Sequence, residues 1–527
     1  YIELRNLVSD YHFKSDTDTE VILHLYHKFG SGCLKFLNGM FSFSIWDKRN
    51  KTLFCARDRF GIKPFYYYVK DQSFYFASEI RALQKIPSFS KSINSRMVKN
   101  FILNGSLNYA NQTFIKDIVE LPPSNFLIIN FNSRKISIDQ KKYYSLNIKE
   151  LKPSLKLFDK LLNDSVKLRL RSDVPIGLAL SGGLDSSSLA YYIKKSSSNN
   201  KVKTFTAVTD DEKTDESKYA SRVSDFLGLE CIKVNVKIKN LSEDLSRVTA
   251  NLEQPVSGPS IIYHSEVMEQ IKKHKIKVML HGQGADEILA GYNFQRLHLA
   301  DELRKKKFIT FFKELVNNKL NNYSSHQLST TALGISSIKA ALDIGKDFEV
   351  ENAQKYFSNL KLELPNIKPK NNLSLLKNKL INYIQRDNLP YILQYEDRNS
   401  MACSIESRTP FLDYRLVNYC LNIPSKYLFD SMRGKYILKK CMKNRIPNSI
   451  IERKKVGFST PRDKILTDFK SDIESSLDSS FLVKNKIIAS ESLKKLTSKY
   501  YKSVVRSDSQ LLWRVIAAEE WIKQNSN

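Results

Sequence analysis

The chain has 527 residues, 84 of them Lys or Arg against 55 Asp or Glu, for a formal charge of +29. At one domain per roughly 100–200 residues, the length excludes a peptide or a single small module and leaves room for two to four domains with real cores. With 42% hydrophobic and 26% charged residues the composition excludes a disordered chain, and apolar runs such as Phe126-Leu127-Ile128-Ile129 stop far short of the roughly 18–20 residues of a membrane helix.

The chain opens with Tyr1-Ile2-Glu3-Leu4-Arg5, which has neither the basic start nor the apolar block of a signal peptide, and reads as beginning inside something longer. Helical spacing over 18–28, opened by acidic residues and closed by Gly30, predicts a helix. Residues 40–46 alternate apolar and small polar groups, end at Asp47-Lys48-Arg49-Asn50 and resume at 52–56, which predicts a β-hairpin. A second hairpin is expected from 65–69 and 73–77, and a third from 125–132 and 135–138. Residues 1–145 are therefore expected to form an α+β layer structure rich in antiparallel strands.

From about 154 helices and strands alternate: a helix over 155–171, a strand over 176–180, then helix 185–195, strand 204–208, helix 217–227, strand 231–236, helix 261–273 and strand 277–280. Alternation of this kind builds a parallel sheet with helices on both faces. After Tyr292 the strands are expected to stop, leaving helices with loops at 364–373 and around Pro447. The fold class is thus a two-domain α/β chain, divided into 1–145 and 150–527.

The six cysteines are scattered, without a C-x-x-C pair or metal-ligand spacing, as in a chain of a reducing cytoplasm. Basic clusters such as Lys272-Lys273-His274-Lys275 and Arg304-Lys305-Lys306-Lys307 invite a nucleic-acid reading. Their helical spacing and polar neighbours fit solvated helix faces better, and no nucleic-acid or membrane partner is expected.

The sharpest feature is Leu180-Ser181-Gly182-Gly183-Leu184-Asp185-Ser186-Ser187, between a strand and a helix. Two glycines let the backbone turn its N–H groups inward, the hydroxyls of Ser181, Ser186 and Ser187 add donors, and the helix start adds partial positive charge: a site for a polyphosphate. It lacks the G-K-[ST] of a Walker loop. An Asp inside an anion site asks for a cation, and Asp185 is read as a ligand of Mg²⁺ bridging phosphate oxygens.

This segment resembles the pyrophosphate loop of ATP pyrophosphatases, which activate a substrate as its adenylate. Three further segments narrow the resemblance to the asparagine synthetase family: His281-Gly282-Gln283-Gly284-Ala285-Asp286-Glu287 with Gly291-Tyr292; Glu396-Asp397-Arg398-Asn399-Ser400-Met401-Ala402 running through Glu406 to Asp413; and Gly434-Lys435-Tyr436 followed by Arg453-Lys454-Lys455-Val456-Gly457-Phe458. In the first half, Thr17-Asp18-Thr19-Glu20, Asn38-Gly39-Met40-Phe41, Arg57 to Pro64 and Phe76-Ala77-Ser78-Glu79 resemble the family's glutaminase domain, a sandwich of the N-terminal-nucleophile amidohydrolase type.

The resemblance implies that a carboxylate, aspartate first, attacks the α-phosphate of ATP, that pyrophosphate leaves, and that ammonia from glutamine displaces AMP to give an amide. It makes Asp185 and Asp286 the Mg²⁺ positions and Lys455 the lysine that neutralises phosphate charge, these three being the catalytic set. Leu180, Val208, His281 and Gly282 fall where the family meets the nucleotide. Asp18 matches the carboxylate that holds the α-amino group of glutamine, and is also placed to cap the helix that it opens. Two positions depart from the family. Gln283 stands where glutamine-dependent asparagine synthetases carry Glu, at an acceptor-site position, and Gln cannot take a proton at neutral pH. The family's nucleophile is an N-terminal Cys, whereas residue 1 is Tyr; Cys33 and Cys55 read as buried apolar side chains, so no glutaminase activity is expected of this sequence. The rival readings are an amidotransferase for another carboxylate, such as a surface-polysaccharide uronic acid, and a degenerate ATP-binding scaffold. Oligomeric state is open, with a homodimer among the options.

Overall fold

The computed structural model describes residues 1–107, 110–132, 135–196, 202–209, 211, 215–292, 294, 297, 301, 348–363, 373–430, 433–453 and 460–526. They fall into two compact units. The first comprises Tyr1–Lys91, Asn111–Thr113 and Asp117–Asn147, the second Ser92–Ala110, Phe114–Lys116 and Ile148–Asn527. The helix Ser95–Asn104 thus packs with the second unit although strands of the first follow it in sequence.

In the first unit, β1 (Ser42–Asp47), β2 (Thr52–Arg57), β6 (Asn125–Asn130) and β7 (Ser137–Lys142) form an antiparallel sheet in the order β1-β2-β6-β7. A second antiparallel sheet has the order β4-β3-β5, with β3 at Tyr66–Lys70, β4 at Ser73–Ala77 and β5 at Val119–Glu120. Because side chains alternate along a strand, β2 serves two cores. Phe54 and Ala56 join Ile45, Phe126 and the helix residues Val21 and Leu25, while Cys55 joins Leu127, Ile129, Phe65 and Leu121. Burial pushes the Cys33 thiol up to about 11 and the Cys55 thiol up to about 12, so both remain protonated and apolar, as the sequence suggests. The Arg57 to Pro64 segment is scaffolding. The buried Asp58 carboxylate accepts from the N–H groups of Phe60, Ile62 and Lys63 at 3.0, 3.0 and 2.9 Å, and Arg57 donates to the carbonyls of Gly61 and Leu121 at 2.9 and 2.7 Å.

The second unit carries a five-stranded parallel sheet in the order β10-β9-β8-β11-β12: β8 is Ile176–Ala179, β9 Lys203–Val208, β10 Cys231–Asn235, β11 Val278–Leu280 and β12 Glu406–Arg408. The helices Leu184–Ser196, Ser217–Leu227 and Pro259–Lys273 lie between them in sequence, within a few residues of the expected bounds. The chain starts in the centre of the sheet, moves out through β9 and β10, and returns across β8 to β11. The C-terminal ends of β8 and β11 therefore flank a switch point, where α/β sheets open a ligand crevice.

One expectation fails. Strands do not stop at Tyr292, because Glu406-Ser407-Arg408 pairs in parallel with β11 as β12. Three polar residues carry no strand pattern; the main chain pairs there because the buried Cys403 and Ile405 anchor it in the core beside Met268, Ile271 and Met279. The expected loop at 364–373 lies, except for Leu373, outside the described residues. The last long helix, Arg506–Asn525, buries Trp513 and Trp521, whose indole N–H groups donate to the carbonyls of Val256 and Glu253 at 2.8 and 3.1 Å. Among the described residues no helix is long and apolar enough to cross a membrane.

Candidate active site

At the end of β8 the Leu180 N–H donates to the Phe205 carbonyl at 2.8 Å and its side chain is buried, so Leu180 extends the ladder into the core. Val208 closes β9 half-buried, its carbonyl accepting from Val236 N–H at 3.0 Å. The turn that follows β8 is held by its own serines. Ser181 Oγ accepts from the Gly183 N–H and Ser186 Oγ from the Ser181 N–H, both at 3.2 Å, and the two hydroxyls lie 3.2 Å apart. Ser187 is fully buried at the helix start. Gly182 has φ +68°, and a Cβ there would lie 2.5 Å from the backbone of Tyr219 and Ala220; only glycine lets the loop pass so close to the next helix.

The loop after β11 lies beside this one. A Cβ on Gly282 would stand 3.1 Å from that of Asp185 and 3.4 Å from the Ser186 nitrogen. Asp185 and Asp286, 101 positions apart in sequence, are thereby brought to one point, and between them lies a group that sequence reasoning did not assign. Lys435 Nζ is 2.5 Å from Asp185 Oδ2 and 2.6 Å from Asp286 Oδ1, with its side chain only 8% exposed. Burial alone would lower the lysine pKa, but the two carboxylates outweigh it and the pKa is raised, so Lys435 is charged throughout the physiological range. Gly291 allows the approach, since a Cβ there would overlap Asp286 Oδ1 and Lys435 Cε.

Arg453 also goes unassigned in the sequence reading. It pairs with Glu216 at 2.7 Å, points a second nitrogen at the Gly182 carbonyl at 3.5 Å, and covers the Tyr219 ring at 3.7 Å, tying the Ser181–Ser187 turn to the chain just before Lys455. Lys455 itself lies outside the described residues, within 454–459. Beside Asp286, Glu287 accepts from Tyr292 Oη at 2.5 Å and from Asn388 Nδ2 at 2.8 Å. Burial, aided by the Asp286 charge, raises the Glu287 pKa. Gln283 donates from Nε2 to Glu396 Oε2 at 3.1 Å. Asp18 belongs to the first unit, exposed in the first turn of the helix Asp18–Phe29, and it is not the cap: the Thr17 side chain accepts from the Glu20 N–H. The missed Lys435 and Arg453 both lie in segments that carry the family resemblance; Glu216 lies in none.

A glycine- and serine-lined turn at a switch point, opening a helix and flanked by two carboxylates around a buried ammonium, defines a parallel-sheet enzyme that handles a phosphate-bearing substrate. The comparisons make this specific. The family "Asparagine synthase" matches residues 157–523 and "Glutamine amidotransferase domain" matches residues 1–144. The chain belongs to the asparagine synthase family, and with it to the ATP-dependent carbon–nitrogen ligases that use glutamine as nitrogen donor. Asparagine synthetase [glutamine-hydrolyzing] 1 of Bacillus subtilis is 29% identical over 490 residues, 88% of this chain and 74% of that protein. Asparagine synthetase [glutamine-hydrolyzing] 2 of the same organism is 31% identical over 489 residues, again 88% of this chain but 61% of the relative. Amidase chyE of Penicillium rubens is 27% identical over 511 residues, 86% of this chain and 74% of that protein.

Proposed function

We propose that the second unit joins aspartate to AMP with release of pyrophosphate and then amidates the adenylate with ammonia. The observation that carries this reading is the meeting of Asp185, Asp286 and Lys435 beside the Ser181–Ser187 turn. The carboxylate attack on the α-phosphate puts charge on the leaving pyrophosphate, and inward-turned N–H groups with fixed cations lower the cost of that charge. Lys435 supplies one cation. Lys455 is proposed as a second, working on the same phosphates, and Val208, Leu180, His281 and Gly282 as the nucleotide's neighbours. The carboxylate pair fits Mg²⁺, because two half-buried aspartates already converge on one positive charge and offer hard oxygen ligands. Bound there beside Asp185 and Asp286, the metal would neutralise triphosphate charge. In the first unit, Asp18 is proposed to hold the α-amino group of glutamine. Six unpaired thiols agree with a cytoplasmic setting.

The test is exchange of pyrophosphate into ATP with Mg²⁺, with and without aspartate, followed by asparagine formation on adding ammonium. Aspartate-dependent exchange that Asp185→Ala and Asp286→Ala each reduce at least 100-fold is the expected result. Exchange that ignores aspartate but responds to another carboxylate would favour a different acceptor, a reading that gains weight from Gln283 and from a relative named as an amidase.

A further inference from the structure

The amidation step releases a proton that Gln283, an amide, cannot take. Behind Gln283 the structure assembles groups from three separate elements. Glu396, 1% exposed in the helix Leu389–Ala402, accepts from Gln283 at Oε2. Its Oε1 is 2.8 Å from His281 Nδ1 and 3.0 Å from His264 Nε2, the latter in the helix Pro259–Lys273. Burial alone would push the Glu396 pKa up; the His281 and His264 imidazoles outweigh it and hold the carboxyl well below its usual range, so the group is an anion.

An ionised carboxylate only accepts hydrogen bonds, and this fixes both rings. The nitrogen that faces Glu396, Nδ1 of His281 and Nε2 of His264, carries a proton in either charge state of its ring. The arrangement of His264 agrees: its Nδ1 lies 3.2 Å from the Asn399 amide nitrogen, a donor that also reaches the Ile261 carbonyl at 3.1 Å. The remaining ring nitrogen of His281, Nε2, which holds the lone pair when the ring is neutral, is buried and has no hydrogen-bond partner among the described residues. The main chain behind the ring is fixed, since the backbone N–H of His281 donates to the Arg408 carbonyl of β12 at 2.9 Å, and a Cβ on the next residue, Gly282, would stand 3.1 Å from that of Asp185. Tyr395 also faces the cluster, its ring edge-on to His264 at 5.6 Å, with Tyr391 and Glu287 acting on it from beyond. Burial raises its pKa well above the usual value, so it stays neutral. Three donor atoms of His264, His281 and Glu396 lie within 4.8 Å of one another, a grouping that could hold a metal. Both rings nevertheless bond to a single carboxylate oxygen, the geometry of N–H donors rather than of ligands around a common centre.

We infer that His281 Nε2 is the proton acceptor of the amidation step, oriented by Glu396 and His264, in place of a carboxylate at position 283. The inference rests on the function proposed above. In the step, the ammonia nitrogen bonds to the acyl carbon, the carbon–oxygen bond to AMP breaks, AMP leaves with the electron pair, and the nitrogen gives one proton to Nε2. The Glu396 charge balances the imidazolium until the proton reaches water. Gln283, its amide nitrogen committed to Glu396, keeps a carbonyl oxygen that can accept a hydrogen bond but not a proton. Glu396 and His264 are positioning residues and His281 the catalytic one.

Two measurements on the full chain test this. Nitrogen-15 NMR of labelled histidines, assigned with His281→Gln, is expected to show His281 at pH 7.5 as the neutral Nδ1–H form, lost in Glu396→Gln. A proton on Nε2, or a zinc ion retained through dialysis and seated on these rings, would overturn the inference. In kinetics with aspartate, ATP and ammonium, His281→Gln is expected to reduce amide formation at least 30-fold more than pyrophosphate exchange. Glu396→Gln should lower amide formation about 10-fold and displace the acid limb of its pH profile. Equal losses in both reactions would overturn it too. Absence of aspartate-dependent exchange in the unaltered protein counts against the acceptor instead, and the NMR experiment still decides the base.

Discussion

Lys435 occupies a left-handed backbone position, φ +63°, and its N–H donates to the Leu289 carbonyl at 2.8 Å. A lysine held there against intrinsic preference, between two aspartates, is placed to keep those carboxylates together in the absence of nucleotide. Lys435→Met should leave two carboxylates facing each other with their counter-charge gone, at a cost of about 3 kcal/mol in the unfolding free energy of the second unit measured by denaturant titration, and reduce pyrophosphate exchange at least 100-fold. The variant's thermal midpoint should also rise on adding Mg²⁺ by more than that of the unaltered chain. In the first unit Glu20 illustrates the opposite case, a carboxylate serving the local chain. It accepts from the N–H groups of Lys14 and Ser15 at 2.8 and 2.7 Å and from the Ser15 hydroxyl, and these bonds lower its pKa from the ordinary 4.5 to about 2. A depressed folded-state value stabilises fully above the unfolded pKa and less as pH falls toward the folded one. The stability gap between the chain and Glu20→Gln should therefore be constant above pH 5 and narrow steadily between pH 4.5 and 3 in urea titrations.

At the scale of elements, the helix Pro259–Lys273 delivers His264, and its entry is set from a distance by the two buried tryptophans of Arg506–Asn525. Trp513→Phe keeps the aromatic filling but leaves the Val256 carbonyl buried without its donor. A loss of about 1–3 kcal/mol is expected by denaturant unfolding, with amide formation falling more than pyrophosphate exchange as His264 shifts. Elements of this kind divide by what the sequence can show of them. The three hairpins and the strands from Ile176 to Leu280 are legible because period 2 and continuous apolar runs mark them. β12 is not, because Glu406-Ser407-Arg408 has no apolar face and pairs through main-chain groups alone. The same holds within the site. Asp185 and the glycines stand in a motif whose chemistry can be read locally, whereas the partnership of Lys435 with Asp185 spans 250 positions and that of Gln283 with Glu396 spans 113. Lys435 could be singled out only by its place between Gly434 and Tyr436, and nothing short of the fold shows which charge it meets. For Asp18 the sequence leaves a cap open beside a glutamine-binding role, because acidic residues favour the cap position, yet its neighbour Thr17 has the extended backbone, φ −79° and ψ 151°, that a cap requires.

At the scale of the whole molecule, each unit has its own buried core: Phe54, Leu25 and Leu127 among the residues of the first, Phe205, Met279 and Ile405 among those of the second. The proposed nucleotide contacts, from Leu180 to Ser187, Val208 and His281 to Asp286, all lie in the second unit. A ligand stabilises what it binds in the folded state, by about 2.7 kcal/mol at one hundred times its dissociation constant. Spread over the unfolding entropy of a unit of this size, that corresponds to about 3 °C. Calorimetry of the full chain should accordingly resolve a transition that ATP with Mg²⁺ raises by about this amount and another that it leaves in place. Hydrogen exchange should slow at the Ser181–Ser187 turn and the His281–Asp286 loop while the β1–β2 hairpin is unaffected. A single transition moving as a whole would mean that the units unfold together, and an unmoved second-unit transition would place the nucleotide elsewhere. The Asp185→Ala chain separates these outcomes, because it should keep both transitions and lose only the shift.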